Sequence, residues 1–202
     1  MRALARVLVA VGILAGSSGG LAAGQEPARN PEPAPRHGFW FGAGFGIGSL
    51  GRTCDICDNL PGESGPTAYI KAGGTPDRQM AIGVELTGWH KKVEGSTITS
   101  GSALVVVSLY PSSTSGLFLK SGLGGSLYRQ EAPTKPASDT AQTTGFGLTA
   151  GIGYDVPVAA HVYLTPVANF IFGSLGNIRP GGVFMPGVQQ TLLQLALGVT
   201  FH

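Results

Sequence analysis

From His37 onward, eight segments of about a dozen residues alternate large apolar side chains with small or polar ones, and together they hold only three charged residues. The segments are 38–49, 66–75, 79–89, 98–110, 116–128, 143–154, 161–172 and 190–201. A period of two is the signature of β-strands, whose successive side chains point to opposite faces. In the last segment Leu193, Leu195, Leu197, Val199 and Phe201 share one face, and Gln194, Ala196, Gly198 and Thr200 the other. In the third, Met80, Ile82, Val84 and Leu86 oppose Gln79, Ala81, Glu85 and Thr87. In the first, Phe39, Phe41, Ala43, Phe45 and Ile47 oppose Trp40 and the glycines 42, 44, 46 and 48.

Alternation alone does not say which face meets the surroundings. A soluble barrel turns its large apolar residues inward, and a membrane barrel turns them outward. Charge decides between them. Lys71, Glu85 and Lys120 are the only Asp, Glu, Lys or Arg residues in all eight segments. Three charges cannot cover the water-facing side of a soluble barrel, which would then expose an apolar surface that soluble monomers avoid. With the bulky face toward lipid, all three charges point inward. A charge on the lipid face would cost roughly 2–4 kcal/mol at the midplane.

Composition supports the same reading. Of the 202 residues, 43% are hydrophobic and 12% charged, against about 25% charged in an ordinary globular domain. Intrinsic disorder needs the opposite balance. The 33 glycines show no every-third spacing, which excludes collagen.

The first 24 residues read as a cleavable secretory signal: Arg2 and Arg6, an apolar run from Val7 to Ala15, then small residues ending in Leu21-Ala22-Ala23-Gly24. The run is too short to span a bilayer as a helix. Without Arg2 and Arg6 the 13 basic residues become 11, equal to the 11 acidic ones, and no basic field remains to attract nucleic acid. Residues 25–37 are a Pro-rich linker, and residues 38–202 are the barrel.

The expected connections, 50–65, 76–78, 90–97, 111–115, 129–142, 155–160 and 173–189, alternate longer with shorter. The short ones carry turn chemistry, as in Asp155-Val156-Pro157. Membrane barrels alternate short periplasmic turns with longer outer loops. An even strand count then puts both termini on the periplasmic side.

The Gly-rich FWFGAGFGIGSL opening, the LFLKSGLGGSLY and TGFGLTAGIGYDV segments and the LGVTFH ending resemble the small eight-stranded OmpA/OmpX-like barrels of the bacterial outer membrane. The resemblance covers residues 37–202. It implies an antiparallel up-and-down transmembrane barrel in the outer membrane of a diderm bacterium, with outer-membrane lipid and lipopolysaccharide as surroundings. The family includes pores, adhesins, anchors and lipid-modifying enzymes, so the resemblance implies no reaction. Gln194, Ala196, Val199 and Phe201 resemble the C-terminal signal read by the barrel assembly machinery, with Ala196 in place of the usual Gly and His202 after the aromatic residue.

Cys54 and Cys57 are expected to form a small-ring disulfide in an oxidising compartment. A metal site with Asp55 and Asp58 is the weaker alternative, because a lone C-x-x-C lacks a second ligand pair. No metal or cofactor is expected. Lys71, Glu85 and Lys120 form either an ion-pair plug, with Lys71 and Glu85 pairing across neighbouring strands, or a ring around a water thread kept open by inward glycines. Trp40, Tyr110, Tyr154, Phe172 and Phe201 are expected in interfacial aromatic girdles, and Tyr69 and Trp89 in the lumen.

No catalytic residue is assigned. A lipid-deacylating Ser-His-acid group would have to come from His37, His90, His161 or His202. Of these, His90 lies near Glu94 and Ser96 in sequence, and His161 begins a strand at the periplasmic end. The leading expectation is a structural or surface-interaction role through the outer loops, including Val183, Phe184 and Met185. A narrow pore is second and a lipid A-modifying enzyme third.

Overall fold

The computed structural model describes residues 36–55, 60–93, 96–131, 141–178 and 185–202. The leader and nearly all of the linker, Cys57, Asp58, Glu94, Val183 and Phe184 lie outside them. All regular structure among the described residues is β: β1 (Gly38–Thr53), β2 (Leu60–Asp77), β3 (Met80–Val93), β4 (Ser96–Leu109), β5 (Leu117–Glu131), β6 (Ala141–Tyr154), β7 (Val156–Ala159), β8 (Val162–Ile178) and β9 (Met185–Phe201). Each main strand pairs antiparallel with its chain neighbours. β1 also pairs with β9, and β6 pairs with β8, so the sheet closes. β7 continues the line of β6 beyond Asp155 and pairs with β8 from Val156↔Leu164 to Ala159↔Val162. The barrel therefore has eight staves built from nine strand segments. Closure removes the edges that lipid would not tolerate.

The faces are those of a membrane barrel. Leu195 is 62% exposed while its neighbour Gln194 is 1% exposed. Phe45, Ile47, Ile70, Val84, Val105, Leu123, Leu148 and Phe170 also point outward. Each such side chain left in water forgoes about 1.5–3 kcal/mol of burial energy. Hydrocarbon supplies that burial instead.

The strands run past the expected boundaries mainly at one end; at the other, β2 runs on to Asp77 and the short β7 lies within the expected 155–160 connection. At the first of these ends, the described strands end at Thr53, Val93, Glu131 and Ile178 and resume at Leu60, Ser96, Ala141 and Met185. Most of the expected 50–65, 90–97 and 173–189 loops is instead paired hairpin arm, such as Thr53↔Gln189 and Val93↔Ser96. Arms beyond the bilayer need no apolar face, so the alternation that marks a strand fades while the ladder continues. The opposite, terminal end carries Gly38, Phe201 and the connections 78–79, 110–116 and 160–161. The 110–116 connection is longer than expected, so the contrast between the two ends lies in strand overhang rather than in loop length.

At the arm end the wall divides. The β2–β3 ladder stops at Thr67↔Trp89 and the β6–β8 ladder at Phe146↔Ser174, although all four strands continue. Two four-stranded leaves result, β8–β9–β1–β2 and β3–β4–β5–β6. Side chains link them, through Lys91 with Glu63 and a Thr143 hydroxyl donating to the Leu175 carbonyl at 2.8 Å.

Candidate lumen site

The arm half of the lumen is apolar. Leu50, Trp89, Ile98, Leu104, Tyr128, Ile171 and Leu192 pack together, with Cys54 half-buried against them. The Trp89 indole donates to the Gly48 carbonyl at 3.0 Å. Below this cluster an amide chain crosses the inner wall: Asn169 donates to Gln194 (2.7 Å), Gln194 to the Thr67 hydroxyl (2.7 Å), and Thr67 to the Gly88 carbonyl (2.8 Å).

The terminal half holds the charges. Lys71 and Glu85 are direct register partners on β2 and β3, as neighbouring strands require. They do not bridge, contrary to the sequence expectation. Lys120 Nζ donates instead to both Glu85 oxygens at 2.7 Å, and both groups are sealed from solvent. The Thr87 hydroxyl lies 3.4 Å from Glu85 Oε1. Direct cross-strand neighbours are the only partners a sequence register can name, whereas inside a narrow barrel strands two places apart also face one another. The Lys71 ammonium lies over the rings of Phe118 (5.4 Å), Trp40 (5.6 Å) and Tyr69 (6.0 Å).

These rings lie in room that the inward glycines leave. A Cβ on Gly44 would stand 2.6 Å from the Tyr69 ring, and one on Gly153 would collide with Phe118. The absent side chains are what allow the rings to lie flat against the wall.

A second cluster, missed in the sequence, surrounds Asp155. Its carboxylate accepts from the Tyr110 hydroxyl (2.8 Å) and the Thr165 hydroxyl (2.7 Å), and Thr165 also meets Thr200 (2.9 Å). Arg36 Nε stands 3.9 Å and His202 Nε2 3.7 Å from the same carboxylate. Arg36 also donates to the Ser115 carbonyl (2.9 Å) and lies 3.8 Å over the Tyr110 ring. Burial alone would raise the Asp155 pKa. The facing His202 ring, the Lys71 charge and the Thr165 and Tyr110 hydroxyls outweigh it and hold the carboxyl below its usual range. Burial, with Asp155 adding to it, pushes the Tyr110 phenol upward.

Two girdle assignments are corrected. Trp40 and Tyr110 are buried inside: Trp40 donates to the Gly74 carbonyl (3.1 Å), and Tyr110 belongs to the Asp155 cluster. An aromatic residue near a strand end reads alike from sequence whichever way it points. Tyr154 and Phe201 do face outward, and Phe201 stacks on Phe41 at 4.6 Å. Phe172 is half-buried on the outer side of β8. Tyr69 and Trp89 lie inside.

Of the remaining sequence candidates, Gln194 is an inward hydrogen-bonding residue, whereas Val199 and Phe201 face lipid. His90 Nδ1 lies 3.3 Å from the Thr99 hydroxyl. His161 sits in the terminal turn with a φ of 64°. Met185 starts β9, so it belongs to an arm rather than to a loop.

No protein-family model and no curated protein matches the sequence. Solved structures do match. Neisserial surface protein A aligns with a TM-score of 0.53 at 17% identity, over 81% of this chain and 96% of its own. The attachment invasion locus protein Ail of Yersinia pestis, solved with the heparin analogue sucrose octasulfate, aligns with a TM-score of 0.56 at 11% identity, over 81% of this chain and 99% of its own. The chain has the fold of the small eight-stranded outer-membrane barrels.

Proposed function

We propose that this protein is a closed outer-membrane barrel whose wall serves as a scaffold and whose surface role lies in the arm end. The arm loops face outward and both termini face the periplasm. The observation that carries this reading is the filling of the lumen. Apolar packing closes the arm half, and the Glu85–Lys120 pair, the caged Lys71 and the Asp155 cluster close the terminal half. An eight-stranded interior is just wide enough for side chains to fill. Ail is an attachment invasion locus protein, and attachment suits a barrel of this shape acting by contact rather than by transport.

Two further residue sets belong to the proposal. Cys54 and Cys57 close a disulfide at the first arm-end loop, which titration of thiols with and without reductant checks. Gln194, Val199 and Phe201 present the final strand to the barrel assembly machinery.

Conductance of the refolded barrel in a planar bilayer, after heat-modifiable migration on a gel has established folding, tests the plug. A folded protein without channel steps supports the scaffold reading. Steady steps whose ion selectivity shifts in Lys71→Ala or Lys120→Ala replace it with the narrow pore. Lipid A mass spectra that change when the protein is present would favour the enzyme instead.

A further inference from the structure

We propose that the outer wall carries a slot for one acyl chain of a lipid in the arm-side leaflet, with the ester end of the chain beside Ser49 and Ser64. A groove of about 610 Å³ crosses the lipid face over β1, β9, β8 and β6 and reaches β2 at Ser64. Ile47, Leu193, Leu195, Phe170 and Ile152 line it and project outward. The small residues Ala150 and Ala168 stand among them and leave the hollow. The outward side chains along the groove are apolar except at one end, where Ser49 and Ser64 are direct register partners. Two smaller hollows on the same lipid face, of about 280 and 360 Å³, are lined by no hydroxyl.

The register fixes which way the groove slopes. A row of paired residues that leaves β2 at Ser64 passes through Ser49, Leu193, Phe170 and Ala150. After crossing β5, β4 and β3 it returns to β2 at Gly74, ten residues nearer the terminal end. The groove follows this row, so its Ser64 end lies toward the arms and its Ile152 end toward the middle of the bilayer. Four strand spacings of about 4.8 Å make it roughly 19 Å long. At the tilt of about 40° usual in such barrels it drops roughly 12 Å, within the ~15 Å of hydrocarbon in one leaflet. The outward face turns polar at the upper end, from Ile47 to Ser49 on β1 and from Leu193 to Thr191 on β9. An occupant must therefore be thin, apolar along its length and able to accept a hydrogen bond at its upper tip. An acyl chain running down from its ester carbonyl has that form, and the serine hydroxyls can donate to the carbonyl. That this leaflet is the outer one rests on the arm-out orientation proposed above.

The test is photo-labelling of the refolded barrel in phosphatidylcholine vesicles doped with a phospholipid that carries a diazirine on one acyl chain. Two probes are used, one with the diazirine near the ester and one with it near the chain terminus, and the labelled residues are mapped by mass spectrometry. The ester-end probe should label around Ser49 and Leu193, and the terminal probe around Ala150 and Ile152. Labelling there should exceed that of Val84 and Val105 on the far wall, which are equally exposed to lipid. Ala168→Trp fills the groove from outside the lumen and should lower both labels to the far-wall level. Even labelling around the wall, a reversed order of the two probes, or unchanged labelling in a folded Ala168→Trp overturns the slot. So does a cross-linked dimer whose contacts map to the groove, which would make a second copy the occupant. If Ala168→Trp does not fold, the order of the two probes on the wild-type barrel decides alone. Vesicles accept the barrel in either direction, so the result depends neither on which end faces outward nor on conductance, and the scaffold reading stands or falls separately.

Discussion

The two halves of the lumen solve the same packing problem by different chemistry. The arm half is closed by large apolar side chains that need only shape. The terminal half is closed by charges, hydroxyls and rings that need specific partners. Both halves sit inside one closed barrel, and the difference lies in what each half does when one member is removed. Apolar packing loses contacts roughly in proportion to the volume deleted. A polar network instead leaves an uncompensated group behind.

The largest effect is expected at the buried ion pair. Lys120→Ala leaves Glu85 buried without its partner and should cost about 4 kcal/mol in urea unfolding from lipid vesicles. The double variant Lys120→Met with Glu85→Leu should regain most of that, and failure to do so would show that the pair's worth lies in its own attraction. Next comes Trp89→Ala in the apolar half, at about 3 kcal/mol with no recovery by a second substitution.

Asp155→Asn should cost about 1–2 kcal/mol near neutral pH. Its pH dependence sharpens the contrast. The folded carboxyl titrates below its ordinary value of 3.8, so its contribution is complete above that pH and is lost as the pH falls through the lower folded value. Acid unfolding curves of Asp155→Asn should therefore lack that step, while Trp89→Ala should keep it. The smallest effect is expected outside the plug. Lys91→Ala breaks a half-exposed pair with Glu63 and should change stability by less than about 0.5 kcal/mol.

The wall was far more legible in the sequence than the plug. Strand number, the lipid face and the inward direction of Lys71, Glu85 and Lys120 all follow from a period of two and a count of charges. Strand ends did not follow, because the arms past the bilayer drop the apolar residues that mark a membrane strand. Within the lumen, register placed Lys71 opposite Glu85, but partner choice depends on side chains meeting across the barrel, which no local pattern encodes. Asp155 read as a turn residue before a proline, and Arg36 as part of a linker. Asp155 stands between β6 and β7 and Arg36 two residues before β1, where sequence assigns a bend or a linker and the structure builds a network.

The glycine track on β1 bears on how the barrel shuts. Gly42 sits opposite Lys71 on β2 and Thr200 on β9, and Gly44 opposite Tyr69 and Gly198. The Tyr69 ring crosses Gly44, and its hydroxyl reaches the place where a side chain on Gly198 would be. The joint between the first and last staves is therefore keyed from within by side chains belonging to a third. Closing the cylinder at this joint and seating the Tyr69 ring therefore bury the same stretch of inner wall.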